Sequence, residues 1–252
     1  MSQEIVFISG ATSGIGKATA ELLAKNGYKL ILTGRRKERL VELENKLGAI
    51  TEIKTLSFDI TNNDELQKAF DSLPAEWKSI DILVNNAGNA HGLDPIQDGS
   101  IADWDAMIDI NVKGLLHLSK LVMPGMVSRR KGHIVNIGSI AGKEVYPNGN
   151  VYCASKHAVD AITQGMRLDM NKYGIKVTGI NPGLVETEFS EVRFKGNKER
   201  AESVYKGYSP LLPHDIAELI HFVITRPKHV NVADLLVLPT DQASSTVVNK
   251  NL

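Results

Sequence analysis

The chain has 252 residues, 42% of them hydrophobic and 23% charged, with 29 basic and 29 acidic side chains. That length suits one large α/β domain with a sizeable core, and the zero net charge leaves no global field to draw in nucleic acid or an anionic membrane surface. The single cysteine, Cys153, rules out an internal disulfide and argues against a metal site built on cysteine, and no run of about 18 apolar residues exists to span a bilayer.

In chain order, residues 4 to 9 form a short apolar strand, followed by Gly10, Ala11, Thr12, Ser13, Gly14, Ile15 and Gly16 and an amphipathic helix to about Asn26. The strand comes so early that no signal peptide fits before it, so a cytoplasmic location is expected. Glycine at 10 permits a tight turn, at 14 a close approach of backbone N–H groups to a diphosphate, and at 16 close helix–strand packing. The helix N-terminus then faces the phosphate charge. The G-x-x-x-G-x-G spacing differs from the general dinucleotide fingerprint.

A second strand, residues 28 to 33, runs into Gly34, Arg35 and Arg36. An acid at this point accepts from the ribose 2′-hydroxyl of NAD, whereas arginine accommodates the 2′-phosphate of NADP. Two arginines and no acid therefore predict NADP(H), with Arg35 ahead of Arg36 as the phosphate residue. A third strand, from about residue 53, ends in Asp59, placed to accept from the adenine amino group. Asn62 and Asn63 compete for the cap of the next helix. The fourth strand, 80 to 84, ends in Asn85, Asn86, Ala87 and Gly88, small enough to admit a ribose and a nicotinamide ring.

Residues 103 to 128 read as one long helix carrying Asn111. A buried Asn there either satisfies backbone or interrupts the helical bonding and holds a relay water. A fifth strand, 133 to 138, delivers Ser139 to its carboxyl end, the edge at which open α/β sheets bind ligands. The helix that follows carries Tyr152 and Lys156, four apart and so on one face. A free phenol has a pKa of about 10, and an ammonium beside it lowers that value. The pair is a proton-transfer device that needs no metal, and Cys153 between them reads as a small apolar residue.

The sixth strand, 175 to 180, breaks at Pro182 and Gly183; the backbone there and at Val185, with the Thr187 hydroxyl, faces the nicotinamide carboxamide. Residues from about 186 to 210 are charged and poor in large apolar side chains, as expected of an exposed lid. A helix at 213 to 225, capped near Asp215, and a seventh strand at 235 to 238 follow. The tail from Asp241 is polar, either disordered or packed on a neighbouring subunit. No linker or repeat divides the chain, so residues 1 to 252 are one domain: a Rossmann fold, its seven-stranded parallel sheet doubly wound with helices on both faces.

Taken together, Gly10, Gly14, Gly16, Asn85-Asn86-Ala87-Gly88, Asn111, Ser139, Tyr152, Lys156 and Pro182-Gly183 resemble the short-chain dehydrogenase/reductase family over about residues 4 to 240. The resemblance implies a catalytic tetrad of Asn111, Ser139, Tyr152 and Lys156. Tyr152 is the implied acid/base. Lys156 lowers its pKa and binds the nicotinamide ribose, Ser139 orients the carbonyl, and Asn111 holds the relay water. The segments Thr187 to Gly196, Pro213 to Ile216 and Tyr146 to Tyr152 resemble the NADP-dependent 3-hydroxy acid dehydrogenase branch, which includes serine and allo-threonine dehydrogenases. This implies action at the β-hydroxyl of a small 3-hydroxy acid, or on the matching carbonyl, by a homotetramer. A carbonyl reductase of broader range is the alternative within the family, and an NADP-sensing protein without chemistry the alternative outside it. Arg193 is the candidate partner of a substrate carboxylate, with Tyr146 and Ser139 beside the substrate. A surface pair of Arg193 with Glu188 or Glu191 is the competing reading.

Overall fold

The apolar runs become strands because both of their faces are covered. The computed structural model describes residues 3–251. Strands β1 (Ile5–Ile8), β2 (Lys29–Gly34), β3 (Ile53–Ser57), β4 (Ile82–Asn85), β5 (His133–Ile137), β6 (Lys176–Pro182) and β7 (Asp234–Val237) form one sheet in the order β3-β2-β1-β4-β5-β6-β7. Every pairing is parallel. The chain moves outward from β1 to β3, then returns to lay β4 on the other side of β1. That reversal opens a crevice at the carboxyl ends of the strands.

The helices are α1 (Gly14–Lys25), α2 (Lys37–Leu47), α3 (Asn63–Asp71), α4 (Ile101–Ile108), α5 (Leu115–Arg129), α6 (Asn150–Met170), α7 (Phe189–Arg193), α8 (Lys198–Ser203) and α9 (Pro213–Ile224). Successive strand residues feed opposite cores, as a period of two requires. Val6, Ile8, Leu30 and Leu32 pack with Leu23 of α1, Leu40 and Leu43 of α2 and Ile220 of α9. Phe7, Ile31 and Leu83 pack with Leu66 of α3, Leu118 and Val122 of α5 and Val159 and Met166 of α6. The doubly wound Rossmann sheet expected from the sequence is the observed one.

Three local expectations change. The long helix predicted over 103 to 128 is broken: between α4 and α5 the segment Asp109–Gly114 is π-helical, and Asn111 lies inside it. Asn62, whose side chain accepts from the backbone N–H of Asp64 and Glu65, is the cap of α3. The polar tail folds back on its own chain: the backbone N–H of Asn249 donates to the carbonyl of Asp241 and that of Asn251 to the carbonyl of Gly207. Among the described residues no helix is long and apolar enough to cross a membrane.

Candidate active site

At the end of β1 the chain enters the glycine loop. Gly10 (φ +67°) and Gly14 (φ +51°) adopt the left-handed region, which disfavours any side chain. A Cβ at Gly16 would lie 2.3 Å from the Gly10 carbonyl oxygen and 2.5 Å from Asn86 Nδ2, so only glycine lets α1 start this close beneath the loop. The loop is fixed from β4. Ser9 Oγ accepts from the backbone N–H of Asn86 and of Ala87, each at 3.0 Å, and Asn86 Nδ2 donates to the carbonyls of Ser9 and Gly10. The Asn86 side chain thus braces the loop. No side chain caps the amino end of α1, so its free N–H groups remain available to an anion.

Beyond β2 the two arginines of the basic cluster have different partners. Arg35 is largely exposed and stands 3.7 Å from Asp59, whose other oxygen accepts from the backbone and hydroxyl of Thr61. Arg36 is the ordered residue: Nε and Nη2 donate to Thr12 Oγ1, and Nη2 also donates to Ser13 Oγ at 2.7 Å. Arg36, not Arg35, is tied to the glycine loop.

The four residues of the implied tetrad come from four elements. Asn111, buried in the π-helical turn, accepts from the backbone N–H of Asn89 and donates to the Asn89 carbonyl and to Ser155 Oγ. Widening the helix there frees backbone groups and is a recurrent feature of functional sites. Ser139 begins a single 3₁₀ turn (Ile140–Gly142) and its Oγ accepts from the Ala141 N–H. Lys156 is buried in α6 and donates from Nζ to the Ile137 carbonyl at 3.0 Å. A Cβ at Gly88 would lie 3.6 Å from Nζ and 2.9 Å from Asn111 Oδ1, so this glycine admits both groups.

The expected depression of the Tyr152 pKa is not what the structure shows. Burial pushes the phenol up and the neighbouring Tyr146 adds to it; the Ser139 hydroxyl and Arg193 pull it down without prevailing. The ammonium of Lys156 is turned to the Ile137 carbonyl, and its own pKa is lowered to about 8 by burial. As it stands, Tyr152 is a neutral acid, with a proton to give.

The segment expected from the sequence to form a lid supplies the other wall. The Phe189 ring packs on Tyr152 with centroids 5.6 Å apart. The Arg193 guanidinium carbon sits 5.5 Å from the ring centroids of both Tyr146 and Tyr152. Arg193 pairs with neither Glu188 nor Glu191: its Nε donates to the Gly92 carbonyl, while the Gly92 N–H donates back to the Arg193 carbonyl. Its Nη2 is buried with no hydrogen-bond partner. Tyr146 keeps its place because Gly149 has no side chain; a Cβ there would lie 2.1 Å from the ring.

Past β6, Gly183 and Leu184 are held by Gln242 of the tail, whose Oε1 accepts from the Leu184 N–H at 2.9 Å. Tyr205 of the lid joins Ser190 and the Val185 carbonyl, and Thr187 accepts from the Phe189 N–H. One cavity of about 510 Å³ is lined by Thr12, Arg36 and Asp59 and also by Ser139, Tyr152 and Arg193. Gly10, Ser13, Gly14, Ile15, Arg35 and Asn86 line it too, as do Ala87, Gly88, Tyr146 and Lys156, and Pro182, Gly183, Val185 and Thr187. Gly16 and Asn111 stand behind that wall and shape it. Sequence reasoning missed Gln242, Tyr205, Phe189, Gly149 and Arg39. Except for Gly149, which meets Tyr146 three residues before it, their partners lie far along the chain, so spacing carries no signal for them.

A dinucleotide fits these residues: two left-handed glycines, a glycine that no Cβ can replace, an uncapped helix end and a basic cluster share one cleft. The comparisons agree with that arrangement. The chain is 45% identical over 240 residues to the NADP-dependent 3-hydroxy acid dehydrogenase YdfG of Salmonella typhi, covering 95% of this chain and 96% of that one. It is 44% identical over 243 residues to sulfoacetaldehyde reductase 2 of Chromohalobacter salexigens, covering 96% of each. Its fold matches the closed form of a serine dehydrogenase complexed with NADP+ at a TM-score of 0.92 and 44% identity, over 98% of this chain and 100% of that one. Residues 4–198 match the family model of the short chain dehydrogenases, and with relatives this close along nearly the whole chain the protein belongs to that family.

Proposed function

We propose that the protein is an NADP(H)-dependent oxidoreductase that interconverts the β-hydroxyl of a small 3-hydroxy acid and the matching carbonyl. One observation carries the substrate class: half-buried Arg193 brings its guanidinium, with Nη2 shielded and without a hydrogen-bond partner, against the ring of Tyr152. An unpaired buried donor is costly, and a carboxylate is its natural complement. The relatives' names support the same class.

In this reading the diphosphate lies on Gly10, Thr12, Ser13, Gly14, Ile15 and the amino end of α1, with Gly16 behind. The 2′-phosphate meets Arg36 and Arg35, and the adenine meets Asp59. The nicotinamide nucleoside lies among Ala87, Gly88, Lys156 and the Pro182-to-Thr187 turn. Bound NADP(H) supplies or accepts the hydride. The rest is the work of the chain. Ser139 hydrogen-bonds the reacting oxygen, and Tyr152 gives its phenolic proton to the developing alkoxide or takes it back from the alcohol. Lys156 stabilises the phenolate that remains. Asn111, through Asn89 and Ser155, keeps the path behind Lys156 open for proton return. Arg193 and Tyr146 fix the acid group so that the β-carbon faces Tyr152. Acid–base help of this kind contributes roughly two to four decades of rate.

The discriminating measurement is NADP-linked activity on serine, allo-threonine, 3-hydroxyisobutyrate, 3-hydroxypropionate, sulfoacetaldehyde and neutral alcohols, with wild type and Arg193→Ala. Removing a hydrogen bond to a charged group predicts a loss of about ten- to a hundredfold in kcat/KM on the acids. Neutral alcohols lose little. Equal losses on both would remove Arg193 from the acid group, and faster turnover of neutral ketones than of acids would favour a carbonyl reductase of broader range. The resemblance to the family leads us to propose a homotetramer, for which exposed Leu116 on α5 and Leu168 on α6 are candidate contact residues. Light scattering that gives a monomer would exclude it.

A further inference from the structure

Two charged side chains that the proposed function leaves without a role, Glu188 and Arg39, meet Arg36 where the lid begins. Glu188 Oε2 accepts from Arg36 Nη1 at 2.7 Å, and Oε1 accepts from Arg39 Nη1 at 2.7 Å. Arg39, in α2, also reaches the Thr12 carbonyl at 3.4 Å. Arg36 in turn holds Thr12 and Ser13, so one lid carboxylate is joined through two guanidinium groups to the glycine loop. Thr187 also stands close over the loop: its Cγ2 would lie 3.3 Å from a Cβ placed on Gly14. Both Arg36 and Glu188 line the cavity. The lid is therefore fastened across the glycine loop by chain segments about 150 residues apart in sequence.

Burial alone would raise the Glu188 carboxyl, but the hydrogen bonds from Arg36 and Arg39 outweigh it and hold the group below the ordinary carboxylate range. The fastening thus stays charged through neutral pH. All three side chains are about two-fifths exposed, so water and salt reach the contact.

We propose that Glu188 is a positioning residue that clasps the lid onto the glycine loop through Arg36 and Arg39 and slows the release of NADP(H). This rests on the cofactor seating given above. The cofactor leaves only when the contact parts, because the lid end and the loop border the same cavity.

The test is the dissociation rate of NADPH from the full-length protein, followed by its fluorescence after mixing with excess NADP+. Two partly exposed ion pairs on one carboxylate predict a rise in koff of about three- to tenfold for Glu188→Gln. Glu188→Asp lies between, and Arg39→Gln moves the same way. Raising salt from about 0.05 to 0.5 M speeds release from wild type more than from Glu188→Gln. A koff that is unchanged in Glu188→Gln overturns the clasp. A slower koff does so as well, because the carboxylate would then be competing with the cofactor's phosphate for the arginines. The seating fails separately: it is wrong if Arg36→Gln leaves the preference for NADPH over NADH unchanged, since loss of the clasp alone would speed release of both.

Discussion

The ammonium of Lys156 donates to the carbonyl of Ile137 at 3.0 Å, which ties the proton-handling helix α6 to the last residue of β5. Ser139 follows two residues later, so the groups proposed to hold the substrate oxygen and to steady the proton share one anchor. With its pKa lowered to about 8 by burial, Lys156 is charged below that pH and neutral above it. Carbonyl reduction should therefore decline as pH rises past about 8, since neutral Lys156 no longer steadies the phenolate of Tyr152. Tyr152→Phe should lose at least about a hundredfold in kcat while still binding NADPH. Near wild-type turnover in that variant would take Tyr152 out of the mechanism.

Two glycine-to-alanine changes should act in opposite directions. At Gly16 the new Cβ meets backbone at 2.3 Å, so the loop must shift; we expect a loss of roughly 1–3 kcal/mol in stability and weaker binding of NADPH. At Gly165, inside α6, nothing lies within 4 Å of the new Cβ. That change should stabilise the fold by roughly 0.5–1 kcal/mol through helix propensity. Paired urea melts decide the matter; equal effects would mean that the Gly16 contact is not what restricts the position.

Acid should weaken the fold through a histidine remote from the site. His133 Nε2 meets Thr178 Oγ1 at 2.8 Å, and the Thr178 hydroxyl donates to the Val232 carbonyl, so the proton of the neutral ring belongs on Nε2. Nδ1 is buried without a partner. Burial, helped by the charge of Lys176, lowers the pKa to about 3. The folded pKa lies below the unfolded one, so the contribution is complete above about pH 6.5. It is lost as pH falls towards 3, at up to roughly 1.4 kcal/mol per pH unit. Urea unfolding at pH 7.5 and 5.0 should show the fall, and His133→Gln should flatten it. An unchanged slope in the variant would place the acid sensitivity elsewhere.

The strands, the glycine loop and the parallel character of the sheet were readable because each depends on local pattern: an apolar run, a turn, a strand alternating with a helix. The reading of Asn111 as an interruption of its helix was also local in origin, although the length of the helix was overstated. What escaped depends on distance along the chain. Arg193 was weighed against Glu188 and Glu191 because they are neighbours in sequence, yet its partner is Gly92, 101 residues away. Glu188 pairs instead with Arg36 and Arg39. The bonds from Arg36 to Thr12 and Ser13 were hidden in the same way, since those partners lie 24 and 23 residues earlier in the chain. The Tyr152–Lys156 spacing suggested a lowered phenol pKa, but it carries no information on burial, which dominates at that residue.

The π-helical turn at Asp109–Gly114 has a consequence for how variants of this protein would be judged. A π-helical turn holds one residue more than an α-helical turn, so removing one residue from it would restore ordinary winding, leave α4 and α5 in place and change which way the residues inside the turn face. Circular dichroism would record a helix as good as before. The amide of Asn111 would point away from Asn89 and Ser155, and the machinery around Lys156 would lose its back wall. Here a more regular helix would be the poorer one.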